Sequence, residues 1–291
     1  RRDKKIITMI DTSFLKHLDR LNLIINKKIT SPFTGIRSSK QQGKGLIFKD
    51  YRQYAQGDDV KTIDWKVYAR TEDLYVKSFE EEKHLTVHII VDMSSSMDFG
   101  KPLKKSEYAA MLATGFAYLT LKNNERFVVS TFSDKLTLLR ARRGRKQLAA
   151  ILNHLTNKQA EGKSNFEASI SSYKQLINSK SMVIIISDFL YPLEEIRNAL
   201  LKLKKSNLLL IQVLDDVEAK LNLEGEFKLH DKETKGIMKT FISPFLKKQY
   251  LNKLYEHDNE IKKMSQQLGA QFYIADTATP IYEHFYNLLR K

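Results

Sequence analysis

The sequence predicts an α/β fold, a doubly wound and mostly parallel sheet flanked by helices. From about Leu85 onward, short apolar runs alternate with amphipathic stretches, the signature of strands joined by crossover helices. The longest runs, Met182–Ile186 and Leu208–Ile211, are strand-sized and far short of the roughly 18 apolar residues a membrane span requires. Two of the runs end directly in an acid, Asp92 after His88-Ile89-Ile90-Val91 and Asp188 after Ile184-Ile185-Ile186-Ser187. Open parallel sheets bind ligands at such strand ends.

Each element follows from its pattern. Thr86–Val91 reads as a buried strand. Tyr108, Met111, Leu112, Gly115, Phe116 and Leu119 recur at helical spacing, which predicts a helix with one face on the sheet. Phe127–Phe132 is a second strand, with Leu136–Leu139 a short third paired to it across Ser133-Asp134. Helices follow through Leu148, Ile151, Leu152 and Leu155, and through Phe166, Ile170, Tyr173 and Ile177. The strand Met182–Ser187 leads to a helix marked by Ile196, Leu200 and Leu203, then to the strand Leu208–Leu214. Glu226–His230 and Ile237–Phe241 read as a hairpin, part of an insertion near 216–244. Tyr250, Leu254, Ile261, Met264 and Leu268 mark a long helix, before the strand Gln271–Ala275 and a helix after Pro280.

Residues 1–84 read as an N-terminal, strand-containing segment packed against the main domain, 85–291. Phe14–Ile25 is amphipathic, Ser31–Lys44 is polar and loop-like, and Gly45–Phe79 is dense in Tyr, Asp and Arg with one clear strand at Leu74–Phe79. Trp65, the sole Trp, reads as a packing anchor, and Arg52, Asp58, Asp64 and Arg70 as an ion-pair network tying the segment to the main domain.

The chain has 291 residues, of which 42% are apolar, enough for a full core. It has no cysteine, which excludes disulfides, zinc–thiolate sites and thiol catalysis and fits a reducing cytoplasm. A formal charge of +15 draws acidic proteins, nucleic acid or anionic lipid alike, so peripheral attachment at the inner face of a membrane stays open. The sharpest basic cluster is Arg140, Arg142, Arg143 and Arg145, since Arg suits bidentate contacts to carboxylate or phosphate. His84 and His88, four apart in strand context, read as structural.

After Asp92 come Ser94 and Ser96, spaced so that one tight loop turns both hydroxyls inward. Carboxylates with neutral hydroxyls are all-oxygen donors, suited to a hard ion such as Mg²⁺. The bland alternative is a set of helix N-caps, which Asp and Ser also favour.

Asp92-x-Ser94-x-Ser96, with Met97 following, resembles the metal-ion-dependent adhesion site of von Willebrand factor A domains. The resemblance implies a von Willebrand factor A-like fold and five ligands to Mg²⁺ or Mn²⁺. The fourth maps onto Ser164 in Gly162-Lys163-Ser164-Asn165-Phe166, where the family carries Thr, and the fifth onto Asp188. A second block is similar to the region preceding the A domain in a bacterial family of unknown function encoded beside MoxR-type AAA+ ATPases. It comprises Tyr51-Arg52-Gln53-Tyr54, Gly57-Asp58-Asp59, Ile63-Asp64-Trp65, Ala69-Arg70, Val76-Lys77 and Phe79, and the hairpin's Leu229-His230-Asp231-x-Glu233-Thr234 matches it too. This implies an adaptor or assembly factor, not an enzyme, which works with such an ATPase. The ion would accept an acidic residue of the partner. Two other readings stay open. A basic nucleic-acid-binding protein rests on charge alone. An aspartate-based phosphatase wants a second acid two residues after Asp92, where Ser94 stands. No Walker A loop is present.

Overall fold

The structure is a computed structural model, which describes residue 19 and residues 42–80, 86–139, 144–177, 181–223, 225–230 and 236–290. These fall into two compact units, 42–80 and 86–290 with Asp19. The amphipathic stretch Phe14–Ile25 lies outside the described residues apart from Asp19, which takes bonds from Tyr118 and Lys122 at 3.0 and 2.8 Å.

The larger unit is built on six strands: β3 (Thr86–Asp92), β4 (Arg126–Phe132), β5 (Leu136–Thr137), β6 (Ser181–Ser187), β7 (Asn207–Leu214) and β10 (Gln271–Asp276). Their order is β10-β7-β6-β3-β4-β5, all parallel except β5, which turns back on β4. β3 and β6 are buried on both faces and so are largely apolar, with His88 the polar exception inside β3. The expected strands therefore stand within a residue or two of their predicted ends, and the hairpin at Ser133-Asp134 forms.

Helices cover both faces. On one, α4 (Phe166–Lys174), α5 (Leu193–Lys202) and α7 (Pro244–Gln267) bury Phe166, Ile170, Ile196, Leu200 and Ile261 against Ile90, Val183, Ile185 and Leu210. Each such side chain contributes roughly 1.5–3 kcal/mol on leaving water. On the other, α2 (Lys105–Lys122) packs on β3, β4, β6 and β7 and against α3 (Arg145–Asn157) and α8 (Ile281–Arg290). The sequence suggested one buried face for α2, yet Lys105, Ser106 and all of Tyr108–Thr120 are buried. With the sheet below and two helices above, α2 has no solvent side. Its small residues permit that: a Cβ at Gly115 would stand 2.3 Å from the Phe285 ring of α8.

The short helix α6 (Asp216–Lys220) follows β7, capped by Asp215 and Glu218. β8 (Gly225–His230) and β9 (Ile237–Ile242) form the expected antiparallel hairpin. Its family-like residues Asp231, Glu233 and Thr234 lie outside the described residues. Among the described residues, no helix is long and apolar enough to cross a membrane.

In the smaller unit, β1 (Gln42–Gln53) pairs antiparallel with β2 (Tyr75–Glu80), and α1 (Trp65–Thr71) lies between them in sequence. Sequence reading had only β2. β1 carries Lys49, Asp50, Arg52 and Gln53 without apolar alternation, and a two-stranded ribbon imposes none. Seven residues are too few for α1 to show periodicity, and its signal is the cap, since Asp64 accepts from Lys66 N at 2.9 Å.

Two expectations for this unit need correcting. Trp65 is 56% exposed, its ring edge-on to Tyr68 at 6.0 Å. It is not a buried anchor because it opens a short helix with no buried residue. The ion pairs are two separate clusters inside the unit. Arg52 holds Asp58 by two bonds of 2.6 and 2.5 Å, which keep that carboxyl down at about 2. Asp64 takes Lys77 at 3.0 Å and the Tyr51 hydroxyl at 2.9 Å. Tyr54 is half-buried, its N–H donating to Leu74 O at 2.9 Å, and Arg70 is exposed in the last turn of α1.

Candidate functional site

The chain leaves β3 for β4 on one side and returns to β6 on the other, so the β3/β6 boundary is the topological switch point of the sheet. There the carboxyl ends of the strands open a crevice suited to ligands. Val91 pairs with Ile186, which sets Asp92 beside Ser187, with Asp188 next in the chain.

Asp92 is fully buried. Its Oδ1 accepts from Ser94 N at 2.9 Å, and its Oδ2 accepts from Ser187 Oγ at 2.8 Å and from the Tyr191 hydroxyl. Burial first, and the charge of Asp188 second, push its carboxyl up to about 6. Ser94 caps a 3₁₀ turn, Ser95–Met97, whose Met97 is buried. That turn brings Ser94 Oγ and Ser96 Oγ within 3.1 Å.

Ser164 arrives from the loop before α4. That loop is tied to the strand ends by Ser95 N to Gly162 O (3.0 Å), Glu161 N to Met93 O (2.9 Å) and Asn165 N to Ser133 O (3.1 Å). Gly162 sits at φ +84°, a left-handed turn that glycine adopts freely. Asn165 caps α4 through Ala168 N. Ser164 Oγ lies 2.9 Å from the Tyr191 hydroxyl. Because the Tyr191 hydroxyl spends its own proton donating to Asp92, Ser164 is the donor there. Tyr191 is held in place by its ring, stacked on Phe166 at 4.9 Å and 10°. Burial, then the charges of Asp92 and Asp188, push the phenol well above its ordinary range, so it stays protonated.

Asp188, the fifth expected ligand, carries an ion pair of its own. Its Oδ2 takes Lys105 Nζ at 3.0 Å, and the same ammonium holds Glu218 Oε1 at 2.8 Å. Lys105 and Asp188 are 0% and 1% exposed. Burial would pull the Lys105 ammonium down, but the charges of Asp188 and Glu218 outweigh it and hold it above its usual value. The corner is stiffened by Gln212 Nε2, which donates to Asp188 O at 3.1 Å. Phe189 then turns through φ +52°, uncommon for a bulky residue.

Asp92 and Ser164 already share one point within bonding reach, and Ser94 and Ser96 lie alongside, so these oxygens suit a hard divalent ion in kind. That point holds the phenol oxygen of Tyr191, and the charge of Asp188 is answered by Lys105. No group of three or more His, Asp or Glu side chains that could hold a metal occurs among the described residues.

Sequence reasoning missed Lys105, Ser187, Tyr191 and Glu218. Only Lys105 left a signal: it stands three before Tyr108 and seven before Leu112, in phase with the buried side of α2. A lysine there demands an acid partner.

Beside Ser164 lies an open cleft of about 680 Å³ lined by Asp134, Lys163, Glu167, Glu194 and Glu195, an acidic flank on a basic protein. Of the basic cluster, Arg145 begins α3 and is exposed, while Arg140, Arg142 and Arg143 lie outside the described residues. His88 lies deeper on β3, its Nδ1 2.9 Å from the Tyr173 hydroxyl, and burial pushes it down to about 4.

Uncharacterized proteins of Mycobacterium tuberculosis and Mycobacterium bovis are each 27% identical to this chain over 266 residues, covering 89% of it and 84% of their own length. Among solved structures, the conserved hypothetical protein BatB from Bacteroides thetaiotaomicron superposes with a TM-score of 0.46 at 14% identity, over 71% of this chain and 97% of its own. The open pilus adhesin SpaC from Lactobacillus rhamnosus GG gives 0.47 at 10% identity, over 72% of this chain and 30% of its own. The profile of a family described as protein of unknown function DUF58 matches residues 50–260, from the smaller unit through most of the larger, and the chain belongs to that family.

Proposed function

We propose that this chain is a protein-docking adaptor with a von Willebrand factor A-like main domain, working in the cytoplasm with a MoxR-type AAA+ ATPase. The observation that carries the reading is the gathering of carboxylate and hydroxyl oxygens from three separate loops, after β3, before α4 and after β6, on one rim at the switch point. A Mg²⁺ or Mn²⁺ held by Asp92, Ser94, Ser96 and Ser164 supplies positive charge for an acidic residue of the partner. Neutral hydroxyls leave that charge largely uncancelled, which suits docking. Asp92 is fully buried with both oxygens engaged, an arrangement that supports docking over nucleophilic attack on a phosphate. The acidic cleft beside Ser164 favours a partner whose docking carboxylate has Lys or Arg neighbours.

Capture of the purified ATPase on the immobilised chain tests this. It is expected in Mg²⁺, and it should fall at least tenfold with chelator and in the Ser94→Ala/Ser96→Ala variant. Capture indifferent to both sinks the reading.

A further inference from the structure

We infer that Tyr191 gates this site: its phenol fills the point shared by Asp92 and Ser164, and a divalent cation binds by displacing it. The inference rests on the docking reading only for the donor set.

The geometry is that of an occupied site. One oxygen, the Tyr191 hydroxyl, donates to Asp92 Oδ2, lies 2.9 Å from Ser164 Oγ and 3.1 Å from Ser187 Oγ. Without it, a fully buried carboxylate would lose a donor. Asp188, the other carboxylate of the rim, already has its counter-charge in Lys105. The rim is thus satisfied by its own side chains.

The hinge is also visible. Phe189 is fixed by His257 Nε2 on its carbonyl at 2.8 Å and by its N–H to Ser187 Oγ at 3.1 Å. Beyond it, Leu190 is 45% exposed, and Pro192 caps α5. Leu190 and Tyr191 therefore form a short flap between a pinned corner and a helix start. When the phenol leaves, the flap moves at the surface beside the acidic cleft, so occupancy of the point is reported outside. A neutral phenol competes through hydrogen bonds alone, and a divalent ion brings charge the phenol lacks.

The test is calorimetric titration of the chelator-treated full chain with Mg²⁺ or Mn²⁺ alone. Wild type, Tyr191→Phe and Asp92→Asn are compared, with thermal melting in parallel. Tyr191→Phe keeps the ring on Phe166 and deletes only the competing oxygen. It should bind Mn²⁺ about tenfold more tightly than wild type, a gain of about 1.4 kcal/mol, and Asp92→Asn should not bind. Tyr191→Leu serves as a second deletion of the hydroxyl should the first melt early. Equal affinity in wild type and both Tyr191 variants overturns the gate and leaves the docking reading standing. No binding by any of them at millimolar cation overturns it as well, whereas loss of ATPase capture alone strikes only the docking reading.

Discussion

Asp92 and Asp188 stand at the ends of neighbouring strands, both buried, yet the fold meets their charges in different ways. At the end of β3, Asp92 is answered by a backbone amide and two hydroxyls, none of them charged. Just past the end of β6, Asp188 is answered by an ammonium as buried as itself. A carboxylate met by neutral donors keeps its charge unspent and can still attract a cation. One met by Lys105 has much of its charge answered already. Two acids that look equivalent in sequence are thus met by two different kinds of partner.

The largest test of that division is Lys105→Met. It leaves Asp188 and Glu218 facing each other without a counter-charge, and breaking a buried pair from one side costs about 3–5 kcal/mol. Denaturant unfolding should show the loss. Adding Asp188→Asn should return a good part of it, because the uncompensated charge is then gone. Full additivity of the two changes would mean that the pair is not coupled and that Asp188 is free to ligate.

A smaller effect is expected at Asp92. A rim made of acceptors alone would tolerate its removal. The structure gives donors instead. Asp92→Ala orphans Ser94 N–H, at about 1–3 kcal/mol for a buried donor left unmet, and takes one acceptor from the hydroxyls of Ser187 and Tyr191, which keep each other. Asp92→Asn keeps an acceptor and sheds a charge that burial and Asp188 disfavour. Without divalent ions it should melt at or above wild type at pH 7. An alanine variant as stable as the asparagine one would remove the hydrogen-bonded half of the comparison.

Much of the larger unit was legible because burial on both faces writes itself into sequence: Ile184-Ile185-Ile186 can be little else than a central strand. The Asp-x-Ser-x-Ser loop was legible because its donors are adjacent in the chain. Tyr191 and Lys105 were not, since their roles come from contacts 99 and 83 residues away in sequence, to Asp92 and Asp188. A tyrosine beside a strand end reads as ordinary packing until its hydroxyl has a place. In the smaller unit the failure is of another kind. β1 and α1 are short of apolar pattern because a two-stranded ribbon has little interior to mark, and Trp65 showed that a lone aromatic says nothing of burial by itself.

The smallest effect contrasts the buried pair of the larger unit with a solvent-facing pair of the smaller one. Arg52 and Asp58 have better geometry than Lys105 and Asp188, with two bonds in place of one. Yet their side chains are 38% and 21% exposed, so water and salt screen them. Arg52→Ala should lower the melting temperature slightly, and the difference from wild type should vanish near 1 M salt, where the screening length is about 3 Å. The Lys105→Met difference, shielded from ions, should persist there. Acid supplies the second check. Arg52 first, then Ala55 N–H, hold the Asp58 carboxyl down at about 2. A depressed carboxyl contributes stability above its unfolded value, near 3.8, and loses it as pH falls through about 2. Wild type and Arg52→Ala should therefore converge on acidification below pH 4. If their difference survives both high salt and acid, Arg52 acts through packing of its stem on the ribbon, and the contrast between the two units is one of contacts and not of charge.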